Sequence, residues 1–378
     1  MNLSRPLRVA HVSSAHPYTD NRVHYRECNS LAEAGYEVAL IAVESPIVGA
    51  ETPVHVTTIP KRSRMKRMVI SSAQAMRLAL RSGAPVIHMH DPELIPYVPL
   101  LRLLRRRVIY DAHEDLPTQV LSKSYLRRPT ALVLSVFARL LVRIAATSDL
   151  VVCATETIAE RFPARKTIVV HNYPPLREDE ATAMDDDIST RRADIVYVGG
   201  IATHRGAGVM VDAMSDPQMP EDWRLRLAGT MSESLRGDLS SRAGWDRVEF
   251  EGQVPPEIAR DIILRSRVGL VLFADLAAHR DALPTKMFEY FAAGVPVIGS
   301  DFPLWRSIVI DHDCGILVDP ASPHAVAGAI RAYESDPEML SRHSRNARRL
   351  AVEELNWARQ SEILVAAYRR LHEGTRPS

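Results

Sequence analysis

Short apolar segments alternate with amphipathic segments along almost the whole chain of 378 residues, and this alternation restricts the fold more than any other feature. The apolar segments are too short for helices and lie between polar or glycine-containing loops, which is typical of buried strands. In the first half the pattern predicts strands over 8–14, 37–43, 54–59, 85–90, 107–111, 149–153 and 167–171. Helices are predicted between them over 21–34, 65–81, 92–105 and 129–146.

The same alternation begins again in the second half. Strands are predicted over 194–198, 223–227, 247–250, 268–273, 295–298 and 315–318. Helices are predicted near 206–215, 232–243, 255–265, 284–293, 323–335, 337–353 and 356–373. Strands that are joined through helices run parallel, so we predict an α/β fold with two Rossmann-like, doubly wound sheets. Ligands bind such sheets beyond the carboxyl ends of the strands, which makes the loops there the candidate sites.

Charge divides the chain into two halves of opposite sign. Residues 1–175 contain 23 Lys and Arg against 14 Asp and Glu, a net charge of +9, whereas residues 176–378 contain 24 against 32, a net charge of −8. The sign changes in a charged stretch without apolar periodicity, which is typical of a linker. We therefore predict a basic first domain over 1–175, a linker over 176–193, a second domain over 194–355 and a final helical segment over 356–378.

Composition excludes several classes of protein. The chain has 46% hydrophobic and 25% charged residues, and no apolar stretch is long enough for a transmembrane helix. The first residues run directly into a predicted strand and lack the apolar core of a signal peptide. The three cysteines, at positions 28, 153 and 314, do not have the spacing of a metal-binding motif. We expect a cytoplasmic protein with reduced thiols.

Residues 281–301 contain a helix start, a helix end and a buried strand in succession. Pro284 suits the first helical position, because its φ is fixed and a helix start needs no N–H there. An apolar face at helical spacing follows, until Gly294 provides a left-handed helix end. The unpaired N–H groups of Thr285 and Lys286, together with the Lys286 charge, favour an anion such as phosphate. The alternative is an ordinary amphipathic helix with solvated polar residues.

The same stretch resembles a known signature. Leu283-Pro-Thr-Lys-Met-Phe-Glu-Tyr290, followed by Gly294-Val-Pro-Val-Ile298, is similar to the nucleotide-sugar motif of glycosyltransferase family 4, in the subgroup with Pro-x-Lys-x-x-Glu-Tyr. This resemblance implies a retaining enzyme of GT-B architecture, with two Rossmann-like domains facing a cleft and a final helix that crosses back to the first domain. It also implies that the donor is a nucleotide sugar, contacted by Leu283, Pro284, Thr285, Lys286 and Glu289.

A glycine pair follows the first predicted strand of the second half. Gly199 and Gly200 allow the backbone to approach a phosphate closely, and Arg205 can donate to its oxygens. The alternative is a glycine turn beside a solvated arginine. The family usually has an arginine after the first glycine, where this chain has Gly200. We therefore expect Lys286 to supply the missing positive charge and, with Arg205, to act in catalysis.

Two other positions are assigned through the resemblance alone. The turn around Val254 is similar to the family's base-binding turn, where backbone groups pair with the nucleobase. Asp281 stands eight residues before Glu289 and replaces the first glutamate of the family's Glu-x7-Glu pair. The resemblance thus implies that Glu289 binds the ribose and that Asp281 contacts the transferred sugar as a catalytic residue.

Histidines and carboxylates cluster after two strands of the first half. His90 and Asp91 follow one predicted strand, and His113 lies within residues 111–115 after the next. Such groups can bind a metal, and paired histidines at strand ends also hydrogen-bond to each other. The resemblance favours a third interpretation, in which His113 is catalytic and contacts the sugar. It places four residues on the acceptor side: His16, Asp20, His90 and Asp91. Asp20 has the alternative role of capping a helix.

The acidic run at residues 185–187 is similar to the metal-binding Asp-x-Asp of other sugar transferases. It lies in the predicted linker and does not follow a strand, so we interpret it as a solvated acidic stretch. We therefore expect no metal and no other cofactor.

Basic residues account for the charge of the first half, and several of them stand beside apolar residues. They are Arg62, Arg64, Lys66, Arg67, Arg105, Arg106, Arg107, Arg127 and Arg128. One interpretation is a solvated surface. The other is peripheral contact with an anionic membrane that carries a lipid-linked acceptor. The basic residues lack interleaved aromatic side chains, so we do not expect a nucleic acid partner.

The sequence thus predicts a retaining glycosyltransferase that uses a nucleotide-diphosphate sugar, with a UDP-sugar as the favoured donor. The acceptor is a hydroxyl of a sugar, a lipid-linked molecule or a small molecule, and bacterial surface polysaccharide or glycoconjugate biosynthesis is the expected setting. Two alternatives remain: a nucleotide-sugar epimerase on the same fold, and a subunit that binds a nucleotide sugar without catalysis.

Overall fold

The computed structural model describes residues 6–46, 49–121, 128–177 and 187–373, apart from the side chains of 119–121, 128–131 and 278. The chain divides into two compact units. The first unit comprises Met1–Asn172 together with Trp357–Ser378, and the second comprises Tyr173–Asn356. Asp185, Asp186 and Arg127, which the sequence singled out, lie outside the described residues.

The first unit is built on a parallel sheet of seven strands in the order β3-β2-β1-β4-β5-β6-β7. The strands are β1 Arg8–Pro17, β2 Glu37–Val43, β3 His55–Ile59, β4 Val86–Met89, β5 Arg107–Ala112, β6 Leu150–Cys153 and β7 Thr167–Val169. The strand order reverses between β1 and β4, which is the position where doubly wound sheets bind ligands. The predicted doubly wound sheet is therefore confirmed for this unit.

Helices connect these strands and cover the sheet. They are Asn21–Cys28, Asn29–Glu33, Arg64–Lys66, Arg67–Ser71, Ser72–Arg81, Pro92–Tyr97, Val98–Leu103, Leu116–Leu121, Arg128–Ala145, Glu156–Ala159, Ala164–Lys166 and Trp357–Glu373. The final helix packs into the core of this unit through Leu364, Ala367 and Tyr368. The indole N–H of Trp357 donates to Ser30 Oγ at 2.8 Å, which fixes the start of that helix.

The second unit has a parallel sheet of six strands in the order β10-β9-β8-β11-β12-β13. The strands are β8 Arg192–Val198, β9 Arg224–Ala228, β10 Val248–Gly252, β11 Ser266–Val271, β12 Val297–Ser300 and β13 Gly315–Val318. The order reverses between β8 and β11, so the loop after β8 lies at the ligand-binding position of a doubly wound sheet.

The helices of the second unit lie on both faces of its sheet. They are Ile188–Thr190, Thr203–Arg205, Ala207–Ala213, Glu233–Ser240, Ala243–Arg247, Pro256–Arg265, Ala277–Arg280, Thr285–Ala292, Pro303–Val309, Pro323–Ser335 and Pro337–Glu353. Two separate clusters of buried apolar side chains pack in this unit, one against each face of the sheet.

Several predicted boundaries were wrong. Pro284 has an extended backbone and caps the helix Thr285–Ala292, so it is not the first helical residue. The strand predicted over 295–298 begins two residues later, because Val295 N–H still donates to Tyr290 at the helix end. The helices Leu116–Leu121, Glu156–Ala159 and Pro303–Val309 were not predicted, since segments of one or two turns show little periodicity.

Among the residues that the structure describes, no helix is both long and apolar enough to cross a bilayer.

Candidate active site

The helix Thr285–Ala292 carries the residues that were predicted to bind the donor. Its buried face, formed by Met287, Phe288 and Phe291, packs into the core of the second unit. Gly294 follows with φ +65°, the left-handed conformation that ends a helix and that residues with a Cβ rarely adopt. The predicted left-handed end is thus confirmed, and the N–H groups of Gly294 and Val295 close the carboxyl end of the helix by donating to Phe291 and Tyr290.

Lys286 lies in the first turn of this helix and is only 9% exposed. Its ammonium lies 3.3 Å from the centre of the Tyr197 ring, and it has no hydrogen-bond acceptor within the described part of the chain. Burial, together with the neighbouring Arg205 charge, lowers the pKa of Lys286 to about 6, against a smaller opposing effect of Glu289. A buried cation beside a second cation is stabilised by an anion.

The glycine pair after β8 lies against both cations. Gly199 has φ +118°, and a Cβ there would lie 3.5 Å from Lys286 Nζ. Arg205 donates to the Gly200 carbonyl at 3.3 Å. A Cβ on Gly229, in the loop after β9, would come within 1.9 Å of the Gly199 oxygen, so glycine is required for this close approach. The structure therefore brings Gly199, Gly200, Arg205 and Lys286 together, as the sequence predicted.

The other predicted donor-side residues differ in burial, and Glu289 is the one that acts on the pKa of Lys286. Glu289 is half-buried and lines a cavity of about 270 Å³ in the second unit, together with Val198 and Arg260. Val254 is half-buried in the turn after β10. Asp281 is exposed at the end of the helix Ala277–Arg280. Leu283 and Thr285, on either side of Pro284, are half-buried.

Tyr197 and Tyr290 belong to this site, although the sequence analysis did not identify them. The Tyr197 ring lies under Lys286 Nζ, and its hydroxyl donates to the Gly200 carbonyl at 2.9 Å. The Tyr290 hydroxyl accepts the Val198 N–H at 3.0 Å at the end of β8. Tyr290 is the last residue of the Pro-x-Lys-x-x-Glu-Tyr signature but was given no role in the site, and Tyr197 was interpreted only as part of a strand.

In the first unit, the predicted acceptor-side residues after β1 and β4 lie together. His16 Nδ1 lies 3.3 Å from Asp20 Oδ2, and His16 Nε2 lies 3.5 Å from Asp91 Oδ1. Burial alone would lower the pKa of His16, but the two carboxylates raise it above its usual value. Asp20 also accepts the backbone N–H groups of Arg22 and Val23, so it has the capping role as well.

Asp91 is buried and surrounded by donors from the irregular carboxyl end of β1. One of its oxygens, Oδ2, accepts from the Ser13 hydroxyl at 2.7 Å and from the backbone N–H groups of Ser14 and Ala15 at 2.6 and 3.1 Å. This carboxylate therefore holds the end of β1 to the end of β4, and its other oxygen, Oδ1, lies near His16.

His113 and His90 meet on the carboxylate of Asp111. His113 Nε2 and His90 Nδ1 each lie 3.2 Å from Asp111 Oδ2, and Arg22 lies 3.1 Å from the other oxygen. Burial opposes ionisation of Asp111, but Arg22 and the two histidines hold its pKa well below the usual value. His90 is fully buried, and burial lowers its pKa, whereas His113 is partly exposed and faces outward.

A chain of buried hydrogen bonds extends this cluster into the core. His11 Nδ1 and His90 Nε2 are 2.9 Å apart, and His88 Nδ1 lies 2.7 Å from the Tyr368 hydroxyl. Burial lowers the pKa of His11 and of His88 well below the usual value, so both are neutral. The roles of His11 and Tyr368 were not predicted, although the in-register pairing of His11 with His88 follows from the order of the strands.

Two groups in this region have the ligand types of a metal site. They are His11, Glu27, His88 and His90, and then His90, Asp111 and His113. Most of their nitrogen atoms are already engaged in the hydrogen bonds described above, and the Arg22 guanidinium lies 3.0 Å from Glu27. A cation here would have to displace those bonds and stand beside a buried positive charge, so the arrangement favours the hydrogen-bonded interpretation.

Comparisons with known families agree with the division into two domains. Residues 21–173 match the model of the family described as Glycosyltransferase Family 4, and residues 180–350 match that of Glycosyl transferases group 1. A curated relative, the D-inositol 3-phosphate glycosyltransferase of Geodermatophilus obscurus, is 27% identical over 220 residues, which is 54% of this chain and 47% of the relative. The chain thus spans about half the length of that relative.

Solved structures of low sequence identity share the fold over the whole chain. The sucrose-phosphate synthase of Thermosynechococcus elongatus has a TM-score of 0.75 at 18% identity, covering 98% of this chain and all of that one. Anabaena HepE in complex with UDP has a TM-score of 0.69 at 13% identity, covering 97% of this chain and all of that one. The trehalose 6-phosphate synthase of Burkholderia multivorans has a TM-score of 0.68 at 14% identity, covering 100% of this chain and 99% of that one.

These likenesses confirm the predicted GT-B fold, and the two family matches confirm the predicted relationship at the level of the domains. The chain therefore has the two domains of a GT-B glycosyltransferase, the first of the Glycosyltransferase Family 4 type and the second of the group 1 type.

Proposed function

We propose that this protein transfers a glycosyl group from a nucleoside diphosphate sugar to an acceptor hydroxyl, with retention of configuration at the anomeric carbon. The observation that carries the proposal is Lys286, a buried ammonium without a hydrogen-bond acceptor, next to Arg205 and the backbone of Gly199. A diphosphate provides the negative charge that this pair of cations lacks, and glycine leaves room for its oxygens.

The same two cations supply the chemistry of the transfer. As the bond between the anomeric carbon and the β-phosphate oxygen breaks, negative charge grows on the diphosphate, and Lys286 and Arg205 stabilise it. The acceptor oxygen forms the new bond on the same face of the sugar, and its proton passes to the leaving phosphate. This front-face displacement needs neither a covalent nucleophile nor a metal ion, which agrees with the expectation of a metal-independent enzyme.

UDP-sugars are the donors that we favour. The protein HepE of Anabaena, which shares the fold, was crystallised with UDP and with UDP-glucose. In this chain Glu289 is the candidate ligand of the ribose hydroxyls, Val254 contacts the base through its backbone, and Asp281 contacts the transferred sugar. The roles of these three residues rest on the family resemblance, and Glu289 is in addition close enough to act on the pKa of Lys286.

His113 is the candidate contact to the transferred sugar from the first unit. Its Nε2 is held by Asp111, and its ring stacks on His16 with the centroids 5.2 Å apart. His16, Asp20, His90 and Asp91 then shape the acceptor side.

Thermal unfolding with added nucleotides tests the donor assignment. UDP, GDP, ADP, TDP and their sugar conjugates are compared with and without Mg²⁺, since a ligand at ~100 times its Kd stabilises by about 2.7 kcal/mol. We expect one nucleoside diphosphate to raise the midpoint, and Lys286→Met to abolish that shift. If no nucleotide raises the midpoint of the wild-type protein, the donor site is not where we place it.

We further propose a cytoplasmic enzyme in peripheral contact with an anionic membrane, acting in surface polysaccharide or glycoconjugate synthesis. The basic surface is smaller than the sequence suggested, because Arg106 donates to the carbonyls of Gly83 and Ala84, and Arg107 pairs with Asp149. Arg67 likewise pairs with Glu93, so the remaining basic residues near apolar ones are Arg62, Arg64, Lys66 and Arg105. Co-sedimentation with liposomes of neutral and of anionic lipid tests this contact, and equal binding to both would exclude it.

A further inference from the structure

The largest cavity described in the first unit, with a volume of about 640 Å³, has a polar floor and an apolar wall. The floor is the cluster at the ends of β1, β4 and β5, including His16, Asp91 and His113. The wall belongs to the helix Arg128–Ala145. A volume of this size is in the range of sites that bind molecules of roughly drug size.

The wall is a continuous apolar stripe along that helix. Leu134, Phe137 and Leu141 line the cavity and lie at helical spacing, so they share one face. Leu134 and Phe137 are nevertheless 39% and 53% exposed. Apolar side chains that line an open cavity and stay exposed in a row mark a binding surface more often than isolated exposed residues do. Met68, 46% exposed, faces the same cavity from the helix Arg67–Ser71.

Two of the three carboxylates that line the cavity are engaged by neighbouring groups. Arg67 Nε lies 2.8 Å from Glu93, and Asp91 accepts hydrogen bonds from Ser13 and Ser14 in β1. The third, Glu114, is exposed, so the floor offers mainly hydrogen-bonding groups. Arg64, which is exposed, adds a positive charge at the rim.

We propose that this cavity binds an amphiphile, with a hydroxyl-bearing polar head on the histidine and aspartate floor and an aliphatic chain along the stripe Leu134–Phe137–Leu141. The identification of this amphiphile as the acceptor rests on the proposed glycosyl transfer, and it makes the acceptor a lipid-linked molecule. A free sugar would fill the floor but leave the apolar wall in water, whereas a chain on the wall gains the free energy of burying that surface.

The same helix offers a matched control, because each leucine that lines the cavity has another leucine one or two residues away that does not. Leu134 and Leu141 line the cavity, whereas Leu132 and Leu140 are 61% and 51% exposed and do not line it. Replacing either pair by serine removes the same apolar atoms from the same helix. Only one of the two double substitutions changes the wall of the cavity.

The probe is dansyl-undecanoate, below its critical micelle concentration, with dansyl-glycine as the head-matched compound without a chain. Fluorescence titration of the full-length protein should show saturable binding of the first compound and at least tenfold weaker binding of the second. The double variant Leu134→Ser/Leu141→Ser should weaken binding of the long probe on the order of tenfold, and Phe137→Ser should do so as well. Leu132→Ser/Leu140→Ser should change it less than twofold.

The proposal is overturned if the two dansyl compounds bind equally, or if both double variants lose the same affinity for the long probe. In either case the aliphatic chain would not bind along Leu134, Phe137 and Leu141. Circular dichroism establishes that each variant is folded, and Phe137→Ser provides a second reading if the double variant is not. The nucleotide-induced thermal shift is measured on the same samples. If the protein shows the nucleotide-induced shift but does not bind the long probe, the amphiphile is rejected and the donor site stands. If it binds the long probe but shows no nucleotide-induced shift, the donor assignment is rejected.

Discussion

In the first unit, Arg22 is buried with its charge engaged by Asp111 and Glu27, at 3.1 and 3.0 Å. In the second unit, Lys286 is buried nearly as deeply, but its nearest charged neighbour described at the glycine turn is another cation, Arg205. The charge of Arg22 is thus balanced by carboxylates of the protein itself, and Asp111 in turn contacts His90 and His113. The second cluster is electrostatically incomplete, and such a group indicates the charge of the ligand that it binds.

Of the substitutions that test this comparison, we expect Arg22→Leu to have the largest effect, a loss of stability. Removing the guanidinium leaves the Asp111 carboxylate buried with only histidines as partners, which should lower the free energy of unfolding by about 3–5 kcal/mol. Urea unfolding measures the loss. Arg107→Ala, which breaks the exposed pair with Asp149, is the control and should cost less than about 1 kcal/mol. Similar losses in the two variants would mean that the buried cluster is not held by Arg22.

For the second cluster the comparison predicts opposite effects on stability and on binding. Lys286→Met removes a buried amino group that has no hydrogen-bond acceptor among the described residues, so the thermal midpoint of the ligand-free protein should rise by about 2–4 °C. The same substitution should weaken binding of the nucleoside diphosphate on the order of 100-fold, since one charge-stabilising contact is lost. Calorimetry and thermal unfolding give the two values. A variant that is less stable and still binds would contradict the interpretation of Lys286 as an anion ligand.

The lowered pKa of Lys286 adds a prediction about pH. With a pKa of about 6 the side chain is mostly neutral in the free protein at pH 7 to 8, and a bound diphosphate raises that pKa. Binding should then take up as much as one proton, and affinity should fall as pH rises above 6, by at most about tenfold per pH unit. Calorimetry in buffers of different ionisation enthalpy measures the uptake. Lys286→Arg keeps a fixed charge and should abolish the dependence.

The same group affects the stability of the free protein with a defined sign. Because the folded pKa is lower than that of the unfolded chain, the unfolded state binds more protons between about pH 6 and 10. The contribution of Lys286 to stability therefore increases with pH in this range. This trend should be absent in Lys286→Met. The difference in unfolding free energy between the wild-type protein and this variant, measured across pH, gives the contribution of Lys286.

The comparison also shows which parts of the structure the sequence could predict. Alternating apolar and amphipathic segments predicted both sheets, since every described strand overlaps a predicted one, and the resemblance around Lys286 pointed to residues that the structure brings close to each other, Gly199, Arg205 and Lys286. The side chains that contact Lys286 were harder to predict from the sequence. Tyr197 lies within a strand pattern, and its place under Lys286 depends on how β8 and the helix Thr285–Ala292 pack.

The buried histidines illustrate the same limit in the first unit. The sequence pointed to His90 as part of a cluster with Asp91 and His113, but His11 lies 77 residues before His88 and joins this group only because β1 and β4 are neighbours in the sheet. The pairing order of parallel strands is not encoded in local periodicity. The apolar wall of the first-unit cavity was likewise hidden, because Leu134, Phe137 and Leu141 look like the buried face of any amphipathic helix.

The smallest expected effect concerns Asp281, which is exposed at the end of the helix Ala277–Arg280. If it contacts the transferred sugar and not the diphosphate, Asp281→Asn should weaken binding of the sugar conjugate by about 1 kcal/mol, the net value of one hydrogen bond, and leave the nucleoside diphosphate unaffected. Paired titrations with UDP and a UDP-sugar measure the difference. An equal loss for both ligands would place Asp281 among the phosphate-binding groups, and it would extend the incomplete cluster beyond Lys286 and Arg205.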